Sequence, residues 1–231
     1  MLKVLSTKKL KHSLLAEAEE NGIRIVEKEF IEVSAIATSE KAAEVRSAAR
    51  SGILHAAFTS ANAVEAVKNL LGAEGARWRL CCLEGKTREA LIHAAASLGH
   101  IVVTGKDSKE LAGEIIKTGV KELLFFCGNK RRDELPAALA GAGIRVQEII
   151  VYETAEKASA AKDEWDAILF FSPSAVQSFF SVNELKKGTA CFAIGETTAA
   201  AIRNFSSPVH ISKTASQEAM LDALLHWTRN R

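Results

Sequence analysis

The sequence predicts an α/β protein with parallel sheets, built from two halves of related α/β topology. Short apolar runs alternate with helical segments along the whole chain, which implies parallel sheets covered on both faces. Small polar residues stand where nearly every apolar run passes into a helix, as helix caps require. The two halves also repeat each other. FTSANAVEAV at 58 matches FFSPSAVQSF at 170, an offset of 112, and CCLEGKTREAL at 81 matches CFAIGETTAAA at 191, an offset of 110. His100-Ile101 recurs as His210-Ile211, and GIRIVEKEFIEV at 22 as GIRVQEIIVYET at 143.

The elements follow in order. Val4-Leu5 reads as a short strand, and Ser6 or Thr7 as the cap of a helix over 8–20 that Asn21-Gly22 stops. Residues 23–33 read as one long strand or two consecutive ones, and 39–51 as a helix. Residues 53–58 form a buried strand, and Thr59 to Asn62 a turn into a helix over 63–71. A strand over 78–83, a turn at Gly85-Lys86-Thr87 and a helix to Leu98 come next. A strand over 100–103 and a helix from about Asp107 to Lys117 complete the first half. The stretch 123–154, LLFFCGNKRRDELPAALAGAGIRVQEIIVYET, is one strand–helix–strand unit. Its apolar opening is short enough for a buried strand, and Asn129 is placed to cap the helix carrying Asp133, Glu134 and Pro136. Gly141 and Gly143 end that helix. Strands over 167–171, 190–194 and 209–211 then precede the turns Ser172-Pro173-Ser174, Gly195 to Thr198 and Thr214 to Ser216. One continuous sheet is the competing architecture, but about ten parallel strands would strain a twisted open sheet.

Composition excludes several classes of function. A net charge of +2 with no basic tail gives no reason to expect nucleic acid. No apolar run approaches membrane-spanning length, and the opening MLKVLSTKKLKH lacks a signal peptide's apolar core, so a cytoplasmic protein is expected. Cys81, Cys82, Cys127 and Cys191 sit in apolar runs without CxxC spacing and read as buried free thiols in a reducing compartment. The six histidines make no metal-binding pair, so a metal centre is not expected, and Rossmann and P-loop glycine patterns are missing.

The stretch 123–154 resembles the central segment of the uroporphyrinogen-III synthases: a strand, a Gly-Asn turn, Arg-Asp-Glu-Leu-Pro, and a strand ending in Val-Tyr-Glu-Thr. Cys127 stands where that family often has arginine. The resemblance covers nearly the whole chain and is densest at 123–154 and 166–202. It implies two parallel-sheet lobes of related α/β topology joined by a two-stranded linker: a discontinuous first lobe, 1–32 plus 153–231, and a second lobe over 36–148, with crossings near 29–35 and 147–155. It also implies a monomeric enzyme, free of cofactors, that cyclises hydroxymethylbilane to uroporphyrinogen III with ring D inverted.

In parallel α/β sheets ligands bind beyond the carboxyl ends of the strands, where helix N-termini gather. Ser60, Asn62, Thr87, Gly128, Asn129, Ser172, Pro173, Ser174, Gly195, Thr197, Thr198 and Ser216 fall there, and are the expected substrate-binding residues. Backbone N–H groups and hydroxyls at helix starts suit a ligand rich in carboxylates. The same residue types cap helices whatever the function. Lys86, Arg88 and the run Lys130 to Arg132 read either as a solvated face or as carboxylate contacts. Tyr152, the one tyrosine in the chain, reads on spacing alone as an amphipathic packing residue. The resemblance makes it the catalytic candidate instead, because the family has a cleft-facing tyrosine there and a phenol can donate a proton to a leaving hydroxyl. A non-catalytic two-lobed binding protein for small polycarboxylates would show the same turns.

Overall fold

The computed structural model describes residues 1–161, 163–206 and 208–230. The chain begins with β1 (Leu2–Ser6), α1 (His12–Glu20), β2 (Ile23–Glu27) and β3 (Ile31–Ala35). It continues through α2 (Ser39–Arg50), β4 (His55–Phe58), α3 (Ala61–Leu71), β5 (Trp78–Leu83), α4 (Lys86–Leu98), β6 (Gly99–Gly105) and α5 (Ser108–Lys117). Then come β7 (Glu122–Gly128), α6 (Glu134–Gly141), β8 (Arg145–Glu156), β9 (Ala167–Phe170) and α7 (Pro173–Phe180). The chain finishes with β10 (Ala190–Ala193), α8 (Glu196–Arg203), β11 (Val209–Ile211) and α9 (Gln217–Arg229).

The described residues form two sheets, of five and six strands, and not one continuous sheet. The chain correspondingly divides into two compact units, Met1–Glu32 with Ala155–Arg231 and Val33–Thr154. The first unit holds the order β11-β10-β9-β1-β2, with every pairing parallel. The second holds β3-β8-β7-β4-β5-β6, and its pairings from β8 to β6 are parallel. The repeat offsets relate β4 to β9, β5 to β10, β6 to β11 and β8 to β2. On that correspondence the two lateral orders are the same, β2-β1-β9-β10-β11 and β8-β7-β4-β5-β6. The second unit simply enters the order at its third strand, as a circular permutation does.

Each sheet is covered on both faces because its strands are apolar at consecutive positions. In the first unit, Val4, Ala167, Leu169 and Phe192 pack under α1 and α9. Leu5, Ile168, Phe170, Cys191 and Ala193 pack under α7 and α8. In the second, Ala56, Phe58, Leu80, Cys82, Leu124 and Phe126 meet α2, α3 and α4. Ala57, Cys81, Leu123, Phe125 and Cys127 meet α5 and α6. Phe126 is the hub of the larger core, with ring centroids 5.2 Å from Phe58 and 5.0 Å from Trp78. Fully burying one such side chain contributes about 1.5–3 kcal/mol.

Two expected caps are not formed. The first helix starts at His12 instead of residue 8, with Lys11 in the cap position and no side-chain cap. Ser6 and Thr7 are occupied elsewhere: the Ser6 hydroxyl donates to the Lys8 carbonyl at 2.6 Å, and the Thr7 hydroxyl donates to the Leu169 carbonyl at 2.9 Å. Asn129 does not cap α6 either. Asp133 occupies that position, and the Asn129 amide is held by β8.

Candidate functional site

In a doubly wound sheet the crevice lies where the chain changes its direction of travel across the strands. The first unit reverses between β1 and β9, and the second between β7 and β4. The parallel pairing aligns the carboxyl ends of the strands along one rim of each sheet.

At the rim of the first unit, Ser172 follows β9 in extended conformation and caps α7 by accepting from the Ala175 N–H at 3.1 Å. Pro173 follows at N1, where its fixed φ suits a helix start and its lack of an N–H costs nothing. Ser174 is half-buried beside it. One strand over, Gly195 opens α8 without a side-chain cap, and its carbonyl accepts from Thr198 N–H at 3.1 Å and Ala199 N–H at 3.0 Å. Thr197 faces outward, whereas Thr198 is buried. Helices α7 and α8 cover the same face, so these six residues gather on one side of one rim. Ser216 is separated from them. It caps α9, accepting from Ala219 N–H at 3.1 Å, and α9 covers the opposite face beyond the edge strand β11.

At the rim of the second unit, Ser60 caps α3 by accepting from the Asn62 N–H at 3.2 Å, and Thr87 is buried in the first turn of α4. Gly85 heads that turn at φ 76°, a backbone that favours glycine. Gly128 ends β7, and Tyr152 lies opposite it on β8. The phenol ring packs against the apolar cluster beneath α2, α3 and α4, the face that carries Ser60 and Thr87. Among the described residues no group bonds the Tyr152 hydroxyl. Asn129 fastens the strand beyond: its N–H donates to the Tyr152 carbonyl at 3.2 Å, and its Oδ1 accepts from Thr154 N–H at 2.8 Å.

One cluster of charges near this rim is paired within itself. Arg131 donates to both Asp133 and Glu148, and these partners raise its pKa. Burial pushes the Cys127 thiol up to about 11, and Cys82 likewise, so neither is a thiolate near neutral pH. All four cysteines are free and buried. Among the described residues no group of His, Cys, Asp and Glu could hold a metal ion, and no helix is long and apolar enough to cross a membrane.

A large cavity in the first unit, about 1080 Å³, lies away from the β1/β9 crevice. It follows α9 and the edge strand β11, lined by His210, Lys213, Asp222 and Trp227 among others, and holds none of the expected site residues. Strand order and converging helix starts give the rims the stronger chemical argument.

Two rim residues went unrecognised in the sequence. Thr7, 2% exposed, closes the β1/β9 crevice by donating to the Leu169 carbonyl and accepting from Phe171 N–H at 3.2 Å. Ser212, one residue past β11, donates to the Ile194 carbonyl just beyond β10 at 2.9 Å and to the Thr214 carbonyl of its own turn at 2.8 Å. A Ser or Thr one residue past a short strand is the available signal, but it is shared with helix caps.

The family model described as uroporphyrinogen-III synthase HemD matches residues 12–222. Among solved structures, the uroporphyrinogen-III synthetase of Helicobacter pylori aligns with a TM-score of 0.71 at 17% identity, covering 98% of this chain and 100% of that one. A mutant uroporphyrinogen III synthase from the extremely thermophilic bacterium Thermus thermophilus aligns at 0.68 and 18% identity, covering 99% and 98%. The wild-type Thermus protein in a second crystal form gives 0.55 at 19% identity, covering 100% and 99%. At such identities the structural likeness speaks for the fold alone. No curated protein sequence matches the chain.

Proposed function

The chain belongs to the uroporphyrinogen-III synthase family, and on that premise we propose how its residues carry the reaction. The family's activity is that of a cyclising lyase acting on a linear tetrapyrrole, hydroxymethylbilane, and closing it to uroporphyrinogen III with loss of water. Ionisation of the ring-A hydroxymethyl group gives an azafulvene. The substituted carbon of ring D attacks it to form a spiro intermediate, and fragmentation with reclosure leaves ring D inverted.

Tyr152 is the proposed acid for the departing hydroxyl. The observation that supports it is placement: a half-buried phenol level with the end of β7, its hydroxyl without a protein partner among the described residues. The proton lost from ring D at reclosure balances the one supplied to the leaving water. Ser60, Asn62 and Thr87 in the second unit, and Ser172 to Ser174 with Gly195, Thr197 and Thr198 in the first, are proposed to take the substrate's acetate and propionate groups. Hydroxyls and helix-start amides do this without a fixed cation. Ser216 is a lesser contact, since its helix covers the other face. Holding the bilane folded, so that attack falls on the substituted carbon, is the greater part of the task. We further propose that the protein acts as a monomer in the cytoplasm, where four free buried thiols are at home.

The test is the product isomer. Hydroxymethylbilane left alone closes end to end to the type I isomer. With this protein and no added metal or nucleotide, the oxidised products should separate as type III. A mixture identical to the protein-free control overturns the reading.

A further inference from the structure

Three observations converge on the residues facing Tyr152, and all lie within the second unit. The first is a register shift. Cys127 pairs with Ile150, but the next residue, Gly128, pairs with Tyr152, so β8 carries one extra residue at that point. Strict alternation would send Tyr152 to the face opposite Ile149 and Val151. The bulge instead lets its ring join the cluster that holds both of them. Bulges beside active sites characteristically re-aim one side chain.

The second observation is the space above Gly128. A Cβ there would lie 2.4 Å from Tyr152 Cζ, 2.5 Å from Cε2 and 2.9 Å from the phenol oxygen. The outer half of the ring therefore occupies the volume any side chain would need. Gly128 is not among the glycines in the left-handed region, so its backbone does not demand glycine. By contrast, a Cβ on Gly195, at the rim of the first unit, would meet nothing within 4 Å.

The third observation is the clasp one residue on. Asn129 binds the strand on both sides of Glu153: its N–H to the Tyr152 carbonyl at 3.2 Å, its Oδ1 to the Thr154 N–H at 2.8 Å, and its Nδ2 to the Thr154 carbonyl at 3.5 Å. Together these bonds hold the bulge in the register that places the ring on the glycine.

We infer that Gly128 and Asn129 are positioning residues for Tyr152, a glycine shelf and an amide clasp that fix where the phenol hydroxyl stands. The inference rests on the reading of Tyr152 as the acid, and it replaces direct substrate contact as the role of these two residues.

The full-length protein tests it, because its single tyrosine yields one ¹⁹F resonance when 3-fluorotyrosine is incorporated. Gly128→Ala should shift or broaden that resonance and reduce turnover nearly as far as Tyr152→Phe does, with KM for hydroxymethylbilane within about twofold of wild type. In a Tyr152→Phe background the same alanine should change turnover little, since the two act as one unit. Asn129→Leu should reproduce the shift and the loss. Asn129→Asp, which keeps the acceptor for Thr154 N–H, should recover most of both. An unmoved ¹⁹F signal in Gly128→Ala overturns the shelf. An equal loss in both backgrounds also overturns it and returns Gly128 to the substrate. If Tyr152→Phe turns over like wild type while Gly128→Ala still moves the resonance, the shelf stands and the acid reading fails. Should Gly128→Ala not fold, Asn129→Leu carries the same readout.

Discussion

At the carboxyl end of β1, the Thr7 hydroxyl ties two strands together: it donates to Leu169 and accepts from Phe171. At the carboxyl end of β7, the same place in the permuted second sheet, Gly128 carries no side chain and a phenol ring lies across it. The strand order is shared, but one crevice is closed by hydrogen bonds and the other carries the phenol proposed as the acid. The comparison teaches that a repeated scaffold constrains its cores far more than its rims. Core positions must be apolar in both copies, because burial sets their energy. Rim positions answer only to local geometry, so one copy can specialise in rigidity and the other in chemistry.

Removing the proposed acid should give the largest effect. Tyr152→Phe deletes one hydroxyl and keeps the ring on its glycine. Turnover is expected to fall by about 10²-fold or somewhat less, the low end for a positioned general acid, because an electron-rich pyrrole helps expel its own hydroxide. The residual product should still be type III, since folding of the bilane does not depend on the phenol. Stability should change by less than about 1 kcal/mol, as the hydroxyl has no partner to lose. Wild-type turnover would remove Tyr152 from the mechanism, and type I product at the spontaneous rate would make it a positioning residue.

Removing the rigidity comes next. Thr7→Val leaves the Phe171 N–H without its acceptor in a site that is 2% exposed. A loss of about 1–3 kcal/mol is expected, which for a chain of this size lowers Tm by roughly 2–4 °C per kcal/mol. Turnover should suffer less than in Tyr152→Phe. An unchanged Tm would show that the staple is dispensable and erase the contrast between the rims.

The comparison also shows what a sequence can carry. The caps Ser60, Ser172 and Ser216 were legible, because a small hydroxyl residue between an apolar run and a helix states its role within four residues. The related topology of the two sheets was legible through the repeat, whose offsets relate β4 to β9 and β5 to β10, but their strand order was not. Thr7 was not, because its partners lie 162 and 164 residues away and its local context reads equally well as a cap. Asn129 misled for the same reason: a bond to β8, 25 residues on, won over the nearby helix start. Nor could spacing show Gly128 under Tyr152, since that contact depends on a register shift no local pattern encodes.

A matched pair of serines sharpens the comparison further. Ser172→Ala and Ser60→Ala each remove one cap, and each should cost about 1 kcal/mol of stability. If both rims hold substrate carboxylates, KM should rise several-fold in both variants. A rise in Ser172→Ala alone would confine carboxylate binding to the first unit and leave the second with the phenol only.

The smallest expected effect tests whether the two sheets differ at all away from their rims. Each carries one histidine whose pKa is lowered: His55 on β4, by burial and then by the positive charge of Arg79, and His210 on β11, by burial. His210 stacks on Phe192 with centroids 4.7 Å apart. A lowered folded pKa means the unfolded chain binds the proton more readily, so stability rises with pH wherever the two states differ. The contribution is fully present above the unfolded value near 6.5, and is lost as pH falls through the folded value. Urea midpoints taken between pH 7.5 and pH 5.5 should therefore fall on acidification. His55→Gln and His210→Gln should each flatten that fall, because glutamine has no proton to gain. Since the two variants alter different sheets, equal effects would show that burial acts alike in both. A profile that stays as steep in both would mean that neither ring loses its charge on folding, and that the acid sensitivity comes from the carboxylates instead.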